Sequence, residues 1–275
     1  MKKTSKKTLG PVSAYLITRL KRANKSIFRI RDVKHVLDKD ENAAADLLSK
    51  LVSRGIISRL KAGLFMIVPL EAESNYMENR YVIAGEIIWP NRYYISHASA
   101  MAIHGMTNQP VLNIQISSAV RKKDMVVSGI KFCFFRIRPS AYFGIEEKWV
   151  TKQARVSVSD IERTIVDCLA RPELCGGVSE AAKGIWAAKE KIDYAKLLKY
   201  VKKIGIKAVA KRLGFILQLL GLSDNNTLVE LKNYLQSSEA YVLFDPTLKN
   251  TGRYIREWRL RVNFNPDELK AGAWA

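Results

Sequence analysis

The sequence predicts an α+β protein: an N-terminal winged helix-turn-helix domain followed by a larger mixed α/β domain. Three observations carry that expectation. Residues 9 to 69 read as three short helical patterns and then a β-hairpin with a basic turn, an order in which one helix enters a DNA groove and the hairpin touches the flanking backbone. The charge is concentrated. Across the chain 46 Lys/Arg stand against 26 Asp/Glu, a net +20, and the first 70 residues hold 16 of the former and only 5 of the latter, as a polyanion-binding surface requires. Finally, 275 residues are long for one core, and the pattern changes at Tyr81. The expected division is a basic arm over 1–8, the winged helix over 9–70, a linker over 71–80 and an α+β domain over 81–275.

The first helix is expected from Val12 to Ala23, with Val12, Tyr15, Leu16 and Leu20 on one apolar face. Arg19, Lys21 and Arg22 then fall outside it. Phe28-Arg29-Ile30 alternates as a short strand, and a second helix follows near Asp32–Leu37, with Asp32 placed to complement its dipole. Asp38-Lys39-Asp40 supplies turn and cap residues. A third helix spans Glu41 to Arg54, burying Ala44, Leu47, Leu48, Leu51 and Val52, and Gly55 stops it. Its other face presents Asn42, Ala45, Asp46, Ser49, Lys50 and Ser53. Asn42, Ser49 and Lys50 are the residue types that reach base edges. Arg59-Leu60-Lys61-Ala62-Gly63 forms the wing, and Lys2, Lys3, Lys6 and Lys7 make an arm suited to lie along DNA. The candidate DNA-contacting set is thus Lys2, Lys3, Lys6, Lys7, Arg19, Arg22, Arg29, Arg31, Asn42, Ser49, Lys50, Ser53, Arg59 and Lys61.

In the second domain Tyr81–Trp89 reads as a helix broken by Pro90-Asn91, followed by an aromatic strand and a small-residue helix ending at Gly105. Val111–Ser117, Ile130–Ile137 and Trp149–Val156 alternate as strands. Ser159-Asp160 caps a helix over Ile161–Leu169, and Val178–Lys189, Tyr194–Ile204, Lys207–Leu220 and Thr227–Gln236 continue the helical run. Ala240–Phe244 is strand-like. Arg253–Arg261 alternates basic with bulky residues as an exposed ribbon, and its Tyr254, Arg256, Trp258 and Arg259 are the residue types that anchor protein interfaces.

Three segments in order carry a family resemblance. They are the wing Ala62-Gly63-Leu64-Phe65; Tyr94-Ile95-Ser96-His97-Ala98-Ser99-Ala100 with His104-Gly105-Met106-Thr107; and Ser159-Asp160-Ile161-Glu162-Arg163-Thr164-Ile165-Val166-Asp167 with Pro172 and Gly176-Gly177. In that spacing, from about Pro11 to Leu222, the chain resembles the AbiEi antitoxins of type IV toxin–antitoxin systems. The resemblance implies a transcriptional autoregulator that binds double-stranded promoter DNA, represses its own promoter and counteracts a nucleotidyltransferase-like toxin. It implies no catalysis. The other reading the residues leave open is a stand-alone winged-helix transcriptional regulator whose C-terminal domain senses a ligand or dimerises.

Other chemistries find little support. His97 and His104 lie seven residues apart without a third ligand nearby, so packing histidines are expected and no metal. Asp160, Glu162 and Asp167 are acidic neighbours, yet Asp160 suits a helix cap and Glu162-Arg163 a surface ion pair. Asp245 with Glu268-Leu269-Lys270 imitates a nuclease pattern, but Asn265-Pro266 reads as a cap and first helical turn. Cys133, Cys168 and Cys175 are odd in number and unpaired in spacing, suiting reduced thiols in a cytoplasmic protein. There is no apolar leader after the basic N-terminus, no membrane span, and no phosphate loop or cofactor signature. The expected protein therefore carries no cofactor and touches no membrane.

Overall fold

The structure, a computed structural model, describes residues 9–69, 76–222 and 225–274. Lys2, Lys3, Lys6 and Lys7 of the expected arm, and the first half of the expected linker, lie outside those residues. The protein is α+β. It divides into two units: residues up to Asn91 with Asp124–Phe132 and Trp149–Arg155, and the rest, namely Arg92–Lys123, Cys133–Lys148 and the chain from Val156 onward.

In the first unit α1 (Pro11–Arg22) starts with proline in its first turn, where its missing N–H leaves no bond unmade. The buried face of α1 is Ser13, Leu16, Ile17 and Leu20. Val12 and Tyr15, expected inside, are half exposed instead: Ile17 takes their place, and the stripe is rotated toward it. After β1 (Ile27–Arg29), α2 (Ile30–Leu37) begins two residues earlier than expected. The Asp32 carboxylate accepts the Arg29 N–H at 2.7 Å, which makes Asp32 the third helical residue and draws Ile30 and Arg31 into the first turn. Asp40 caps α3 (Glu41–Ser53) by accepting the Ala43 N–H at 2.8 Å. β2 (Ile57–Lys61) and β3 (Leu64–Ile67) form a hairpin, and β1 pairs with β3, giving the antiparallel order β1-β3-β2. The turn is Ala62-Gly63, and Gly63 takes φ +70° there, a conformation that costs a side chain but not glycine. Leu16, Leu20, Phe28, Val33, Leu48, Leu51 and Phe65 close the core. α4 (Arg80–Ile88) follows, capped by Asn79.

The second sheet is built from β4 (Tyr93–Ile95), β5 (Asn113–Ser118), β6 (Met125–Val127), β7 (Ile130–Arg136), β8 (Ile145–Trp149) and β9 (Arg155–Ser159), in the order β6-β7-β5-β4-β9-β8. The expected single strand Trp149–Val156 is a correction: β8 ends where that run was to begin. Between the two strands the Thr151 hydroxyl accepts the Ala154 N–H at 2.9 Å and turns the chain. α5 (His97–His104) lies between β4 and β5 in sequence and ends on Gly105 at φ +68°.

The helical part of the second unit is α6 (Ile161–Ala170), α7 (Val178–Ala188), α8 (Tyr194–Ile204), α9 (Lys207–Leu220) and α10 (Asn225–Leu235). α6 packs against α5, α7, α8 and α9, and every residue from Glu162 to Leu169 is buried. The expected surface pair Glu162–Arg163 is therefore overturned. Glu162 binds Lys196 Nζ at 2.8 Å and accepts the Asp193 N–H, while Arg163 pairs with Asp167 at 2.9 Å. Asp160 caps α6 as expected, accepting the Arg163 N–H at 2.8 Å. A third sheet, β10 (Val242–Leu243), β12 (Leu260–Val262) and β11 (Arg253–Ile255) in that spatial order, precedes α11 (Pro266–Trp274). Asp245 caps α7 from a distance, accepting the Val178 N–H at 2.7 Å, and its other oxygen is held by Thr247.

The expected ribbon Arg253–Arg261 is a strand, a tight turn and a second strand. Trp258 in that turn is 0% exposed. Its ring lies on Gly214 of α9, where a Cβ would overlap it, and its Nε1 donates to Gln218. Trp258 is thus a core residue. Arg259 donates to the carbonyls of Leu235 and Ser238 and is likewise withdrawn from any interface role. Removing an indole from a fully buried site costs about 3–5 kcal/mol. Trp258→Ala should lower stability by that amount in urea unfolding of the whole chain, and a loss below about 1 kcal/mol would return the residue to the surface.

Candidate nucleic-acid interface

The first unit exposes a polar helix face and a scatter of cations. On α3, Asn42, Ala45, Asp46, Ser49, Lys50 and Ser53 are all exposed, while Ala44, Leu48 and Leu51 are buried. Helical spacing puts Asn42, Ser49 and Lys50 on the open side because the leucines claim the other. Ser53 spends its hydroxyl locally, donating to the Lys50 carbonyl at 2.9 Å. Arg19 and Arg22 are exposed on α1, with the Arg19 guanidinium 6.0 Å from the Tyr15 ring. Arg59 is exposed on β2 opposite Phe65.

Two of the expected cations are already engaged. Arg29 Nη1 meets the Glu86 carboxylate at 2.5 Å, and its Nη2 donates to the Glu86 carbonyl at 2.6 Å. Its guanidinium also lies 4.6 Å from the Trp89 ring. Lys61 Nζ donates to the Ile87 carbonyl at 3.1 Å. Arg29 and Lys61 thus tie the sheet to α4, a correction to their reading as phosphate ligands. Arg31 stays exposed, but it stacks on the same indole at 4.0 Å. Glu86 and Trp89 were missed because nothing local marks them: one lies on an apolar helix and the other just past its end, more than fifty residues downstream of Arg29.

Asp32 binds Lys25 at 2.7 Å besides the Arg29 N–H. Burial pushes its carboxyl upward, but the Lys25 and Arg29 hydrogen bonds and the Lys25 and Arg31 charges outweigh it, leaving the group below its ordinary range. On the ribbon of the second unit, Tyr254 and Arg256 remain exposed, and Tyr254 meets Tyr241 edge-on at 5.1 Å. No group of three or more His, Cys, Asp or Glu that could hold a metal is found among the described residues. Among those residues, too, no helix is long and apolar enough to cross a membrane.

No protein-family model and no curated protein matches the sequence. The fold is similar to that of the RV2827C protein from Mycobacterium tuberculosis, seen in its crystal structure, with a TM-score of 0.68 over 92% of each chain. The two sequences are 13% identical, so the likeness is one of fold alone.

The Asp32 geometry sets a pH test. A carboxyl whose folded pKa is depressed stabilises above its unfolded pKa and loses that stabilisation as pH falls through the folded value. Asp32→Ala should cost about 1 kcal/mol at pH 7. Below about pH 4 the difference from the parent should shrink. An unchanged difference from pH 7 to pH 2 would remove the carboxylate from the account.

Proposed function

We propose that residues 9–69 act as a winged helix-turn-helix, with α3 as the recognition helix and the β2–β3 hairpin as the wing, and that the ligand is double-stranded promoter DNA. The observation that carries this is the open face of α3, which places Asn42, Ser49 and Lys50 together on a helix whose opposite side is core. Amide, hydroxyl and ammonium groups are those that read base edges in a major groove. Five exposed cations, Arg19, Arg22, Arg31, Lys50 and Arg59, are available to phosphates in the same unit. On this reading the whole chain is an antitoxin of the AbiEi kind, repressing its own promoter and counteracting a nucleotidyltransferase-like toxin, with Tyr254 and Arg256 as the exposed candidates for toxin contact.

Counterion release by about five phosphate contacts gives a log–log salt slope near −4 to −5 for the full-length protein. Arg59→Ala and Arg19→Ala should weaken all DNA sequences alike and flatten the slope by about one each. Asn42→Ala or Lys50→Ala should instead lower discrimination between operator and random DNA. Fluorescence anisotropy across a salt series reads both effects. Loss of binding without any salt dependence, or equal loss of discrimination from Arg59→Ala, would sink the assignment of α3. For the second unit, Tyr254→Ala with Arg256→Ala should abolish growth rescue in cells carrying the neighbouring toxin-like gene while leaving promoter repression intact. Rescue by the double variant would remove the ribbon from toxin contact.

A further inference from the structure

The second unit contains a cavity of about 640 Å³ whose chemistry the DNA-binding reading does not use. Its lining carries five cations, Arg136, Arg138, Arg163, Arg171 and Lys203, against one acid, Asp167. The acid is spent, because Asp167 Oδ1 takes the Arg163 Nε at 2.9 Å and its Oδ2 accepts the Tyr94 hydroxyl at 3.2 Å. Arg171 has a solvent-exposed partner, Glu173, at 2.9 Å, a pairing worth little. Arg136 and Arg138 have no ion pair among the described residues. Arg136 ends β7 and Arg138, extended in backbone, leads into the short turn at Pro139–Ala141, and both line the cavity.

Depth sorts these groups. Arg136, Arg138, Arg171 and Lys203 are exposed, whereas Tyr94, His97, Arg163 and Asp167 are buried. The cavity is thus cationic at its mouth and aromatic within. His97 meets Phe135 edge-on at 5.3 Å, and Phe143 lies 4.3 Å from the Arg163 guanidinium. Arg163 is fully buried and gives Nη2 to the Tyr94 hydroxyl at 2.9 Å, yet its Nη1 finds no acceptor among the described residues. A buried guanidinium nitrogen without a partner is costly and rare. His97 holds a left-handed backbone, φ +51°, beside it, the kind of strain that clusters at ligand sites. Burial, with the Arg171 and Arg163 charges, lowers the His97 ring to about 3, so it faces the cavity as a neutral imidazole.

We infer that this cavity binds a free nucleoside monophosphate, its base among His97, Phe135 and Phe143 and its phosphate on the Arg136–Arg138 pair. The volume falls within the range of small-molecule sites. Aromatic walls with guanidinium flanks suit a planar base, and paired arginines suit the forked acceptors of a phosphate. An inorganic anion alone would leave the aromatic walls unused. The inference stands apart from the DNA-binding reading, since none of its residues belongs to the first unit.

Isothermal titration of the full-length protein with the four ribonucleoside monophosphates, inorganic phosphate and the unphosphorylated nucleosides tests it. At least one monophosphate should bind about tenfold or more tightly than phosphate or its own nucleoside. Arg138→Ala and Arg136→Ala, both exposed and harmless to the core, should each weaken that binding by about tenfold. Lys50→Ala on the α3 face should leave it unchanged. The inference is overturned if no monophosphate binds at millimolar concentration, or if phosphate binds as well as the best nucleotide. It is equally overturned if Lys50→Ala, and not Arg138→Ala, removes the signal, because the nucleotide would then be occupying the DNA face.

Discussion

Helix α6 sets the terms for the second unit, because it carries charge into a place where charge must be paired. Residues 162 to 169 are buried without interruption, and Glu162, Arg163 and Asp167 are among them. An isolated ion there would cost several kcal/mol, so each neighbour is fixed by what it must supply. α8 supplies Lys196, which reaches both Asp160 at 3.1 Å and Glu162 at 2.8 Å, and Tyr200, whose hydroxyl donates to Asp160 at 3.0 Å. β4 supplies Tyr94, and the parallel pairing of Ile95 with Val158 holds that strand beside the one leading into α6. Gly144 lies against the same cluster: at φ +67° its missing Cβ leaves room for Arg163 and Tyr200. Burial lifts the Asp167 carboxyl to about 6 while Arg163 and Tyr94 pull it down, the opposition expected where desolvation and pairing meet.

Much of this was legible from local chemistry, and the failures share a cause. The caps at Asp40 and Asp160, the stops at Gly55, Gly105 and Gly221, and the helices Tyr194–Ile204 and Lys207–Leu220 follow from residues within one turn of each other. The N-terminal order of helices and hairpin was readable for the same reason. What could not be read depends on contacts distant in sequence. Glu162-Arg163 looks like a surface pair until four other helices pack against α6. Trp258 looks like an interface anchor beside four arginines until Gly214 offers it a flat bed. Val12 and Tyr15 fit an apolar stripe as well as Ser13 and Ile17 do when no partner fixes the rotation of the helix. The cavity gave no signal at all, because Arg136, Arg163 and Lys203 come from three separate elements.

The same limit governs how charge is read. A net count treats every Lys and Arg as available, yet Arg29 is satisfied by a carboxylate, a carbonyl and an indole, and Lys61 by a carbonyl. Such cations stabilise the protein and add to its long-range field, but a phosphate would have to displace an existing partner to gain them. The count of exposed, uncommitted cations is therefore the better guide to phosphate contacts. Arg31 sits between the two classes. Stacking on Trp89 covers one face of its guanidinium but leaves the N–H edge open, and it is the edge that meets an anion.

Arginine does opposite work in the two units for one physical reason. Where water is present, as on α1 and β2, a guanidinium costs little to keep and waits for a partner. Where water is excluded, as at Arg163, each N–H must be answered by the fold or left as a standing cost. Two of the three nitrogens are answered here, by Asp167 and Tyr94. Tyr94 itself is fully enclosed, and burial raises its hydroxyl far above the ordinary phenol range, so it remains a neutral hydrogen-bonding group and adds no compensating charge. Among the buried side-chain groups of the described residues, the remaining Arg163 nitrogen is the one for which the chain's own groups do not complete the arrangement they impose.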